Sequence, residues 1–434
     1  LDPDSRMDGT NVNADLTWHD PEFRPDWDVS AQVSYVHFAE ANTDLTLFPA
    51  GSALPLPLPG GSASSAGMVG RPQHWERQAR VDFSALYTGL TGHKLRLGAG
   101  FFQDDLYKVT ESKNFNFVNI PGVGNVPRCI NLACSMVEAT QANGLAFLSP
   151  QQRTSLHGHI QDEWSLAPDW TLTAGLRHDR YSDFGATTNP RLALVWDTAY
   201  NLTSKFMLGR AFRAPSFVEL HTINNPVAQG NPDLRPETLD SMELAFAWQP
   251  LDRLKTGLNL FRYRMDDVIR FVPNADPSTG NTARNDGRRH GHGLELEATW
   301  DVDERLRLAG NYAFQRATDD NSGQDAGQAP HHQLYLRADW RLAPGWTLNG
   351  QANWVMDRAR PAGDTRTPIA DYATLDLTLR ADRLRQGWEA ALSVRNLFDA
   401  EIREPTFGAS ASNLPFDLPL PGRSVYLEFR YRPQ

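Results

Sequence analysis

The sequence lacks the features that mark helical membrane proteins and nucleic-acid-binding proteins. No stretch approaches the roughly 18 consecutive apolar residues that a membrane-spanning helix requires, and the mean hydropathy is −0.49. The 42 Lys and Arg residues are outnumbered by 52 Asp and Glu, which gives a net charge of −10. No basic excess is therefore available to neutralise a phosphate backbone. These absences exclude a helical membrane protein and predict no nucleic-acid partner.

Motifs that carry catalysis or bind metals are also missing. The sequence contains no Gly-x-Ser-x-Gly elbow, no phosphate-binding glycine-rich loop, no His-Glu-x-x-His and no paired-cysteine zinc spacing. Only 2 of the 434 residues are cysteine, and no nearby His or Cys completes a metal site with them. We therefore expect neither an enzyme nor a resident cofactor or metal.

A period of two residues runs through most of the chain instead. Near the end, Val425, Leu427 and Phe429 alternate with Glu428 and Arg430, and successive side chains of a strand point to opposite faces. About seventeen segments read as strands in this way. They are residues 7–20, 27–39, 74–88, 93–109, 151–166, 169–184, 188–198, 200–213, 236–250, 254–272, 286–301, 305–319, 329–342, 346–359, 370–384, 388–399 and 422–432.

The connections between these segments alternate between short turns and long polar loops. Turns such as 167–169 and 343–345 occur at every second junction. Long connections lie between them, near 40–73, 110–150, 214–235, 273–287, 319–328, 360–369 and 400–421, and several tryptophans (Trp170, Trp300, Trp340, Trp346, Trp388) lie close to the short turns. This arrangement is typical of an outer-membrane β-barrel whose short turns are periplasmic. A soluble propeller or sandwich is the alternative.

The odd number of strands has a consequence for the topology. Single-chain bacterial barrels have an even number of strands and begin and end on the periplasmic side, whereas seventeen strands would begin on the long-loop side. Leu1-Asp2-Pro3-Asp4 also lacks the basic and apolar regions of a signal peptide. We therefore expect residues 1–434 to be the C-terminal part of a transmembrane barrel that belongs to a longer chain.

Two blocks of sequence resemble the TonB-dependent outer-membrane receptor family. The first runs from Trp170 through Asn189-Pro-Arg-Leu-Ala-Leu194 and Gly209-Arg-Ala-Phe-Arg-Ala-Pro-Ser216 to Gly230-Asn-Pro-Asp-Leu-Arg-Pro-Glu-Thr-Leu239, and the second joins Ser393-Val-Arg-Asn-Leu-Phe-Asp399 to Pro421-Gly-Arg-Ser424. The resemblance implies an all-β antiparallel barrel of about 22 strands with an N-terminal plug inside it, of which this chain holds the last seventeen or so. It implies energy-coupled import of a scarce, large solute such as a ferric siderophore, haem or cobalamin, with a TonB-type protein as partner.

The polar faces of the segments suit the wall of a wide lumen that holds a plug. Side chains placed there are candidates to contact the plug by ion pairs, which are of modest strength when wet; solvation of the lumen alone is the alternative. They are His157, His159, Glu295, Glu297, Arg337, Asp339, Arg395 and Glu428. His290 and His292 share the parity of Leu294, which predicts packing on the outer face near the loop end.

The long loops supply the candidates for solute binding. Aromatic and amide side chains suit this role, and the candidates are Phe115, Phe117, Asn119, Asn224, Asn225, Phe407 and Phe416. In the resemblance, haem importers carry an axial His in the loop that holds His221, although ordinary loop structure is the alternative. Cys129 and Cys134 lie five positions apart, and in an oxidising compartment we expect them to form a disulfide.

Three acidic pairs lie at the loop ends of strands, at Asp104-Asp105, Asp266-Asp267 and Asp319-Asp320. Their oxygens could hold Ca²⁺ or bridge to lipopolysaccharide through divalent cations, and solvated loop entry is the alternative. We expect a monomer embedded in outer-membrane lipid. A receptor or adhesin barrel that does not transport is the competing function.

Overall fold

The computed structural model describes residues 5–48, 67–120, 124–131, 133–225, 228–276, 280–327, 329–360, 362, 364–385, 387–406 and 417–432. Its strands are β1 Arg6–Arg24, β2 Trp27–Phe48, β3 Met68–Tyr87, β4 His93–Lys113, β5 Phe115–Ile120, β6 Gly124–Cys129, β7 Val137–Ala139, β8 Gln151–Ala167, β9 Trp170–Tyr181, β10 Gly185–Ala199, β11 Leu202–Arg213, β12 Ala228–Gln229, β13 Glu237–Leu251, β14 Leu254–Asp266, β15 Ile269–Pro273, β16 Asn281–Asn285, β17 Arg289–Asp301, β18 Leu306–Asp319, β19 Gln324–Asp325, β20 Pro330–Ala343, β21 Trp346–Arg358, β22 Tyr372–Arg385, β23 Trp388–Arg395, β24 Arg403–Glu404, β25 Leu418–Pro419 and β26 Ser424–Tyr431. A short helix, α1, spans Phe217–His221.

Seventeen of these strands form one continuous antiparallel wall. Each pairs with the next wall strand along the chain, in the order β1, β2, β3, β4, β8, β9, β10, β11, β13, β14, β17, β18, β20, β21, β22, β23 and β26. The remaining strands decorate the long-loop end: β7 and β19 pair with the outer ends of β4 and β18. The number of wall strands agrees with the sequence-based count.

The register places apolar and polar side chains on opposite faces. Leu258 lies opposite Leu296, which lies opposite Tyr312 on the next strand. One residue further, Asn259 lies opposite Glu295. Because a one-residue slip would turn every side chain to the other face, this alternation fixes the register of the whole wall.

Aromatic side chains form a belt at the short-turn end. Trp170 stacks on Trp196 with ring centroids 4.8 Å apart, and Trp388 packs against Tyr431 at 5.1 Å. Trp300 is exposed on the same outer face. Exposed rings at one level of a sheet suit the boundary between lipid and water, where an apolar ring body and a polar edge are both accommodated.

The two ends of the wall differ as the sequence predicts. The short-turn end uses tight connections such as Asp26, at φ +66°, and Gly345, at φ +79°, where left-handed backbone closes the turn. The other end carries the long connections, although β9 and β10 are joined there by residues 182–184 alone. Among the described residues β1 pairs only with β2 and β26 only with β23, so the wall has two free edges.

The prediction of one strand over 254–272 is wrong. Strand β14 ends at Asp266, and Asp267 has φ +56°, a left-handed conformation that does not continue a strand. The chain then turns into β15, which pairs with β16 in a small separate sheet. Several other strands are longer than predicted, and β4 runs to Lys113 rather than 109, because long hairpins continue past the apolar belt.

No helix in the described ranges is long and apolar enough to span a bilayer.

The alternation predicts a sharp difference between two matched substitutions. Leu296 faces outward in mid-strand, and Asn311 lies on the inner face of the neighbouring strand. We expect Leu296→Arg to cost about 2–4 kcal/mol of folding free energy in lipid vesicles, because the guanidinium would sit in hydrocarbon. Asn311→Arg should cost less than about 1 kcal/mol. Equal losses in a denaturant titration would contradict the assigned faces.

Candidate functional site

A layer of folded loops covers the long-loop end of the wall, and a buried lysine anchors it. The side chain of Lys113 is 0% exposed. Its Nζ donates a hydrogen bond to the Leu145 carbonyl at 2.6 Å, lies 3.3 Å from the centroid of the Phe147 ring and pairs with Glu111 at 3.1 Å. The lysine therefore holds the loop around 145 against the end of β4.

Lys113 is outside the lipid, because β4 begins at His93 and about 9–11 residues are enough for a strand to cross a bilayer. Burial lowers the pKa of Lys113, and Glu111 only partly opposes this shift. Desolvation disfavours the charged form of an amine. The contacts with a carboxylate, a carbonyl and a ring together accommodate the ammonium group.

Helix α1 is held by a cap and by an arginine that grips two carboxylates. Ser216 caps the helix: its Oγ accepts from the Glu219 N–H at 3.2 Å, while the Ser216 N–H donates to Glu219 Oε2 at 2.8 Å. Arg213 donates to both oxygens of Glu237 at 2.7 and 2.8 Å and to both oxygens of Glu219 at 3.0 Å. This Ser-x-x-Glu spacing is a sequence signal for a helix start that the sequence analysis did not use.

The electrostatics of this clamp favour the ionised carboxylate. Burial by itself raises the pKa of Glu219, but the Arg213 guanidinium and the Ser216 N–H more than offset it, so the pKa lies below its usual range. The same hydrogen bonds, first to Glu237 and then to Glu219, raise the pKa of Arg213. Charge-assisted bidentate pairs of this kind fix orientation as well as contributing energy.

A small apolar core lies beneath the helix. Leu220, Leu234, Ile269 and Ala283 form a buried cluster that joins α1 to the β15–β16 hairpin. Gly230 passes so close to the helix end that a Cβ there would lie 2.5 Å from the Thr222 nitrogen. The described residues of these two connections, 214–225 with 228–236 and 267–276 with 280–288, are thus packed together as one unit.

A buried arginine joins this unit to the wall. Arg153 of β8 donates to Asp183 and to the Pro215 carbonyl, both at 2.7 Å. Its guanidinium also lies 5.1 Å from the Phe184 ring centroid and 4.9 Å from that of Phe217. Arg153 could not be identified from the sequence, because its partners come from two separate connections, the β9–β10 turn and the segment that follows β11.

His221 is the last residue of α1, half-buried beside Phe217 with ring centroids 6.3 Å apart. Burial lowers its pKa, which favours the neutral imidazole. Axial ligation of a haem requires a neutral imidazole. The haem-ligand hypothesis for His221 stays a prediction.

The side chains of Asn224 and Asn225 form hydrogen bonds with backbone groups of the loop layer. Asn224, at φ +55°, donates its side-chain amide to the Ala146 carbonyl at 3.0 Å. Asn225 Oδ1 accepts from the Ala228 N–H at 3.3 Å. Beside them the Ile223 N–H donates to the Phe147 carbonyl at 2.9 Å, which docks this loop on the Lys113 anchor.

Phe115, Phe117 and Asn119 lie on the β5–β6 hairpin that rises from β4. The rings of Phe115 and Phe117 meet edge to face at 5.7 Å; Phe115 is buried and Phe117 half-buried. Asn119 pairs with Asn125 in the backbone register. The hairpin ends at Cys129, which is joined to Cys134 by a disulfide with a Cα–Cα distance of 4.9 Å. Phe407 and Phe416 lie outside the described residues.

The register puts the predicted lumen residues on the polar face of the wall, where several contact other side chains of the same face. Arg337 donates to Asp339 at 2.9 Å, and Arg430 donates to Glu428 at 2.9 Å. Arg395 stacks over the Tyr426 ring at 5.0 Å. Glu295 and Glu297 share this face with His157, His159 and the pairs above.

His157 and His159 lie across two glycines of β4. A Cβ at Gly100 would lie 2.5 Å from the His157 ring, and one at Gly98 only 2.1 Å from the His159 ring. His157 also approaches Asp82 at 3.1 Å and is buried. The glycines thus provide the recess that both imidazoles occupy in the wall.

The acidic pairs are engaged by basic side chains. Arg77 binds Asp105 at 2.8 Å, Arg288 binds Asp266 at 2.7 Å, and Arg270 binds Asp319. Within the described ranges no group of three or more His, Cys, Asp or Glu residues is arranged to hold a metal ion. Calcium binding at these pairs stays a prediction.

A second ionic cluster, absent from the sequence-based candidates, joins the loops after β21 and after β23. Arg360 donates to Asp417 at 2.6 Å, and Arg366 donates to Asp364 at 2.6 Å and to Asp417 at 3.2 Å. All four side chains are at most 8% exposed. Hydrogen bonding from Arg366 lowers the pKa of Asp364 to about 2, so the cluster is ionised across ordinary pH.

The wall, its aromatic belt and its one-sided loop layer define an outer-membrane β-barrel protein. The sequence matches the family described as TonB dependent receptor-like, beta-barrel over residues 1–397, and the chain belongs to the TonB-dependent receptors.

Relatives and solved structures agree with this assignment. The iron-regulated outer membrane virulence protein of Vibrio cholerae is 26% identical over 293 residues, which cover 63% of this chain and 45% of that protein. The metal-pseudopaline receptor CntO of Pseudomonas aeruginosa is 26% identical over 269 residues, covering 57% and 37%. The chain thus spans less than half the length of these relatives. The structure of the copper transporter OprC superposes with a TM-score of 0.70 at 16% identity, covering 98% of this chain and 66% of that one, and shows the shared fold.

The hydrogen bonds from Arg213 to both Glu219 and Glu237 predict that its loss will destabilise α1 locally. Arg213→Gln leaves two largely buried carboxylates without a cation, so we expect α1 and the loop 214–225 to open more readily by about 1–3 kcal/mol, seen as faster amide hydrogen exchange. Arg210→Gln is the matched control, because its pair with Asp240 is exposed on both sides and worth less than about 1 kcal/mol. Equal exchange in both variants would contradict the clamp.

Proposed function

We propose that this chain forms the wall and loop layer of a receptor that imports a scarce, large solute across the outer membrane. The observation that carries the proposal is the combination of a seventeen-strand wall with a polar inner face and a loop layer built over that face. A wall of this width cannot fill its own lumen with side chains. A passage of this size suits solutes of the ferric siderophore, haem or cobalamin class.

The names of the relatives support the metal-chelate and cobalamin parts of this solute range. Besides the two already described, the vitamin B12 transporter BtuB of Vibrio cholerae is 26% identical over 241 residues. The proposed energy source is a TonB-type coupling protein, which would act on the whole receptor. The free edges of β1 and β26 are proposed to pair with closing strands, because unpaired backbone groups cost several kcal/mol each in hydrocarbon.

The proposed solute contacts are the side chains of the loop layer that retain free polar or ring surface. Phe117 and His221 are half-buried and keep part of their rings accessible. The side-chain amide of Asn224 donates to the Ala146 carbonyl, so Asn224 is proposed to bind solute through its side-chain oxygen. Asn225 accepts from the Ala228 N–H and stays a predicted solute contact. Phe115 is buried and is proposed to support Phe117 rather than to touch solute.

Uptake measurements in the native host test the proposal. We expect deletion of the gene to abolish uptake of one labelled solute among ferric siderophores, haem and cobalamin, and loss of the TonB-type protein to abolish the same uptake. Binding by cells that persists without any energy-dependent uptake would support the non-transporting receptor or adhesin instead.

Within this test, His221→Ala should reduce haem uptake at least about ten-fold if His221 is an axial ligand, and Phe217→Leu serves as its control.

A further inference from the structure

The outward face of the wall carries a row of three basic side chains directly above its apolar belt. Arg262 of β14 lies opposite His292 of β17, and His292 lies opposite Arg316 of β18. We refer to these three residues as the cationic row. Two residues nearer the short turns on each strand, and therefore on the same face, a matching apolar row is formed by Leu260, Leu294 and Phe314.

The cationic row has almost no compensating negative charge. All three residues are exposed. Neither the Arg262 guanidinium nor the His292 ring has an ion pair or a side-chain hydrogen bond with any residue that the structure describes. The His292 ring lies beside the Phe314 ring, with 6.2 Å between the two centroids. Arg316 reaches Asp325 only at 4.0 Å, and that carboxylate is already bound by His331 at 2.7 Å.

The next row toward the loops shows that this lack of partners is specific. Arg210 pairs there with Asp240 at 2.7 Å, and His290 pairs with Asp320 at 2.6 Å. Arg264 binds Asp266 at 2.8 Å. Basic residues one step further from the belt are thus neutralised by the protein, whereas the cationic row is left for a ligand from outside the chain.

The height of the cationic row places its side chains within reach of lipid headgroups. Arg262 lies eight residues beyond Leu254, where β14 begins at the short-turn end. At about 3.3 Å per residue and a tilt of 35–45°, this is roughly 20 Å along the membrane normal. The apolar band of such barrels is about 25 Å tall, so the backbone of the row lies about 5 Å below its outer rim, a distance that a long arginine side chain can span to reach the headgroups.

We propose that the cationic row binds the phosphate groups of a glycolipid headgroup in the outer leaflet. A guanidinium binds phosphate oxygens through two parallel N–H donors, and an imidazole supplies an N–H donor in either protonation state. Arg262 and Arg316 are two strand spacings apart, about 10 Å, a separation that suits a headgroup carrying two phosphates. The apolar row beneath would contact the acyl chains of the same lipid.

Native mass spectrometry of the purified full-length receptor in detergent tests this site. The probes are bis-phosphorylated lipid A, the same lipid with its phosphates removed, and inorganic phosphate. We expect the receptor to retain the bis-phosphorylated lipid and to retain the dephosphorylated lipid at least about ten-fold more weakly. Millimolar inorganic phosphate should not displace the bound bis-phosphorylated lipid. Equal retention of both lipids would overturn the proposal, and displacement by inorganic phosphate would show a simple anion site instead of a lipid site.

Substitutions locate the site on the wall. Arg262→Gln with Arg316→Gln should weaken retention of bis-phosphorylated lipid A about ten-fold or more, and Arg262→Lys with Arg316→Lys should keep most of it. Arg341→Gln is the matched control, an exposed arginine at the short-turn end of β20. Unchanged retention in the glutamine variant, with energy-dependent solute uptake intact, would overturn the lipid site and leave the proposed import function standing.

Discussion

Every feature of this chain depends on the requirement that backbone hydrogen bonds be satisfied inside hydrocarbon. A strand cannot pair with lipid, so each wall strand must pair on both sides, and the side chains are left to face lipid or water in strict alternation. The pairing of Leu258 with Leu296 and of Asn259 with Glu295 is a direct consequence. The same requirement sends irregular backbone to the two ends of the wall, where water or neighbouring loops satisfy it.

The loop layer, which lies outside hydrocarbon, is held together mainly by side-chain interactions. Outside the lipid, it relies on ionic groups that hold distant segments together: the buried Lys113 on the Leu145 carbonyl, the exposed Arg213 on the largely buried Glu219 and Glu237, and the buried Arg360 on Asp417. Such groups are costly to bury but even costlier to leave unpaired. They therefore fix the positions of loops that contain little regular structure, which gives the long-loop end of the wall a defined surface.

The wall could be predicted from the sequence in detail, and the loop layer could not. The alternation of Leu294 and Glu295 is a local pattern with a period of two, so it identifies the strand and both of its faces without knowledge of any partner. The bonds from Lys113 to Leu145, 32 positions away, and from Arg360 to Asp417, 57 positions away, have no local signature. The predicted strand over 254–272 stops before Asp267 because this residue has a left-handed backbone conformation. The neighbouring sequence contains no signal for that conformation. The cap formed by Ser216 and Glu219 was readable, because its spacing is fixed by the helix.

The most direct test of the account is a scan of spin labels along β17, one residue at a time from Gly293 to Trp300, in the receptor reconstituted in lipid. Collision with oxygen reports lipid, and collision with a water-soluble nickel complex reports water. The account predicts a two-residue period, with oxygen favoured at Leu294, Leu296 and Ala298 and the nickel complex favoured at Glu295 and Glu297. A scan with no such period, or with the two faces reversed, would contradict it.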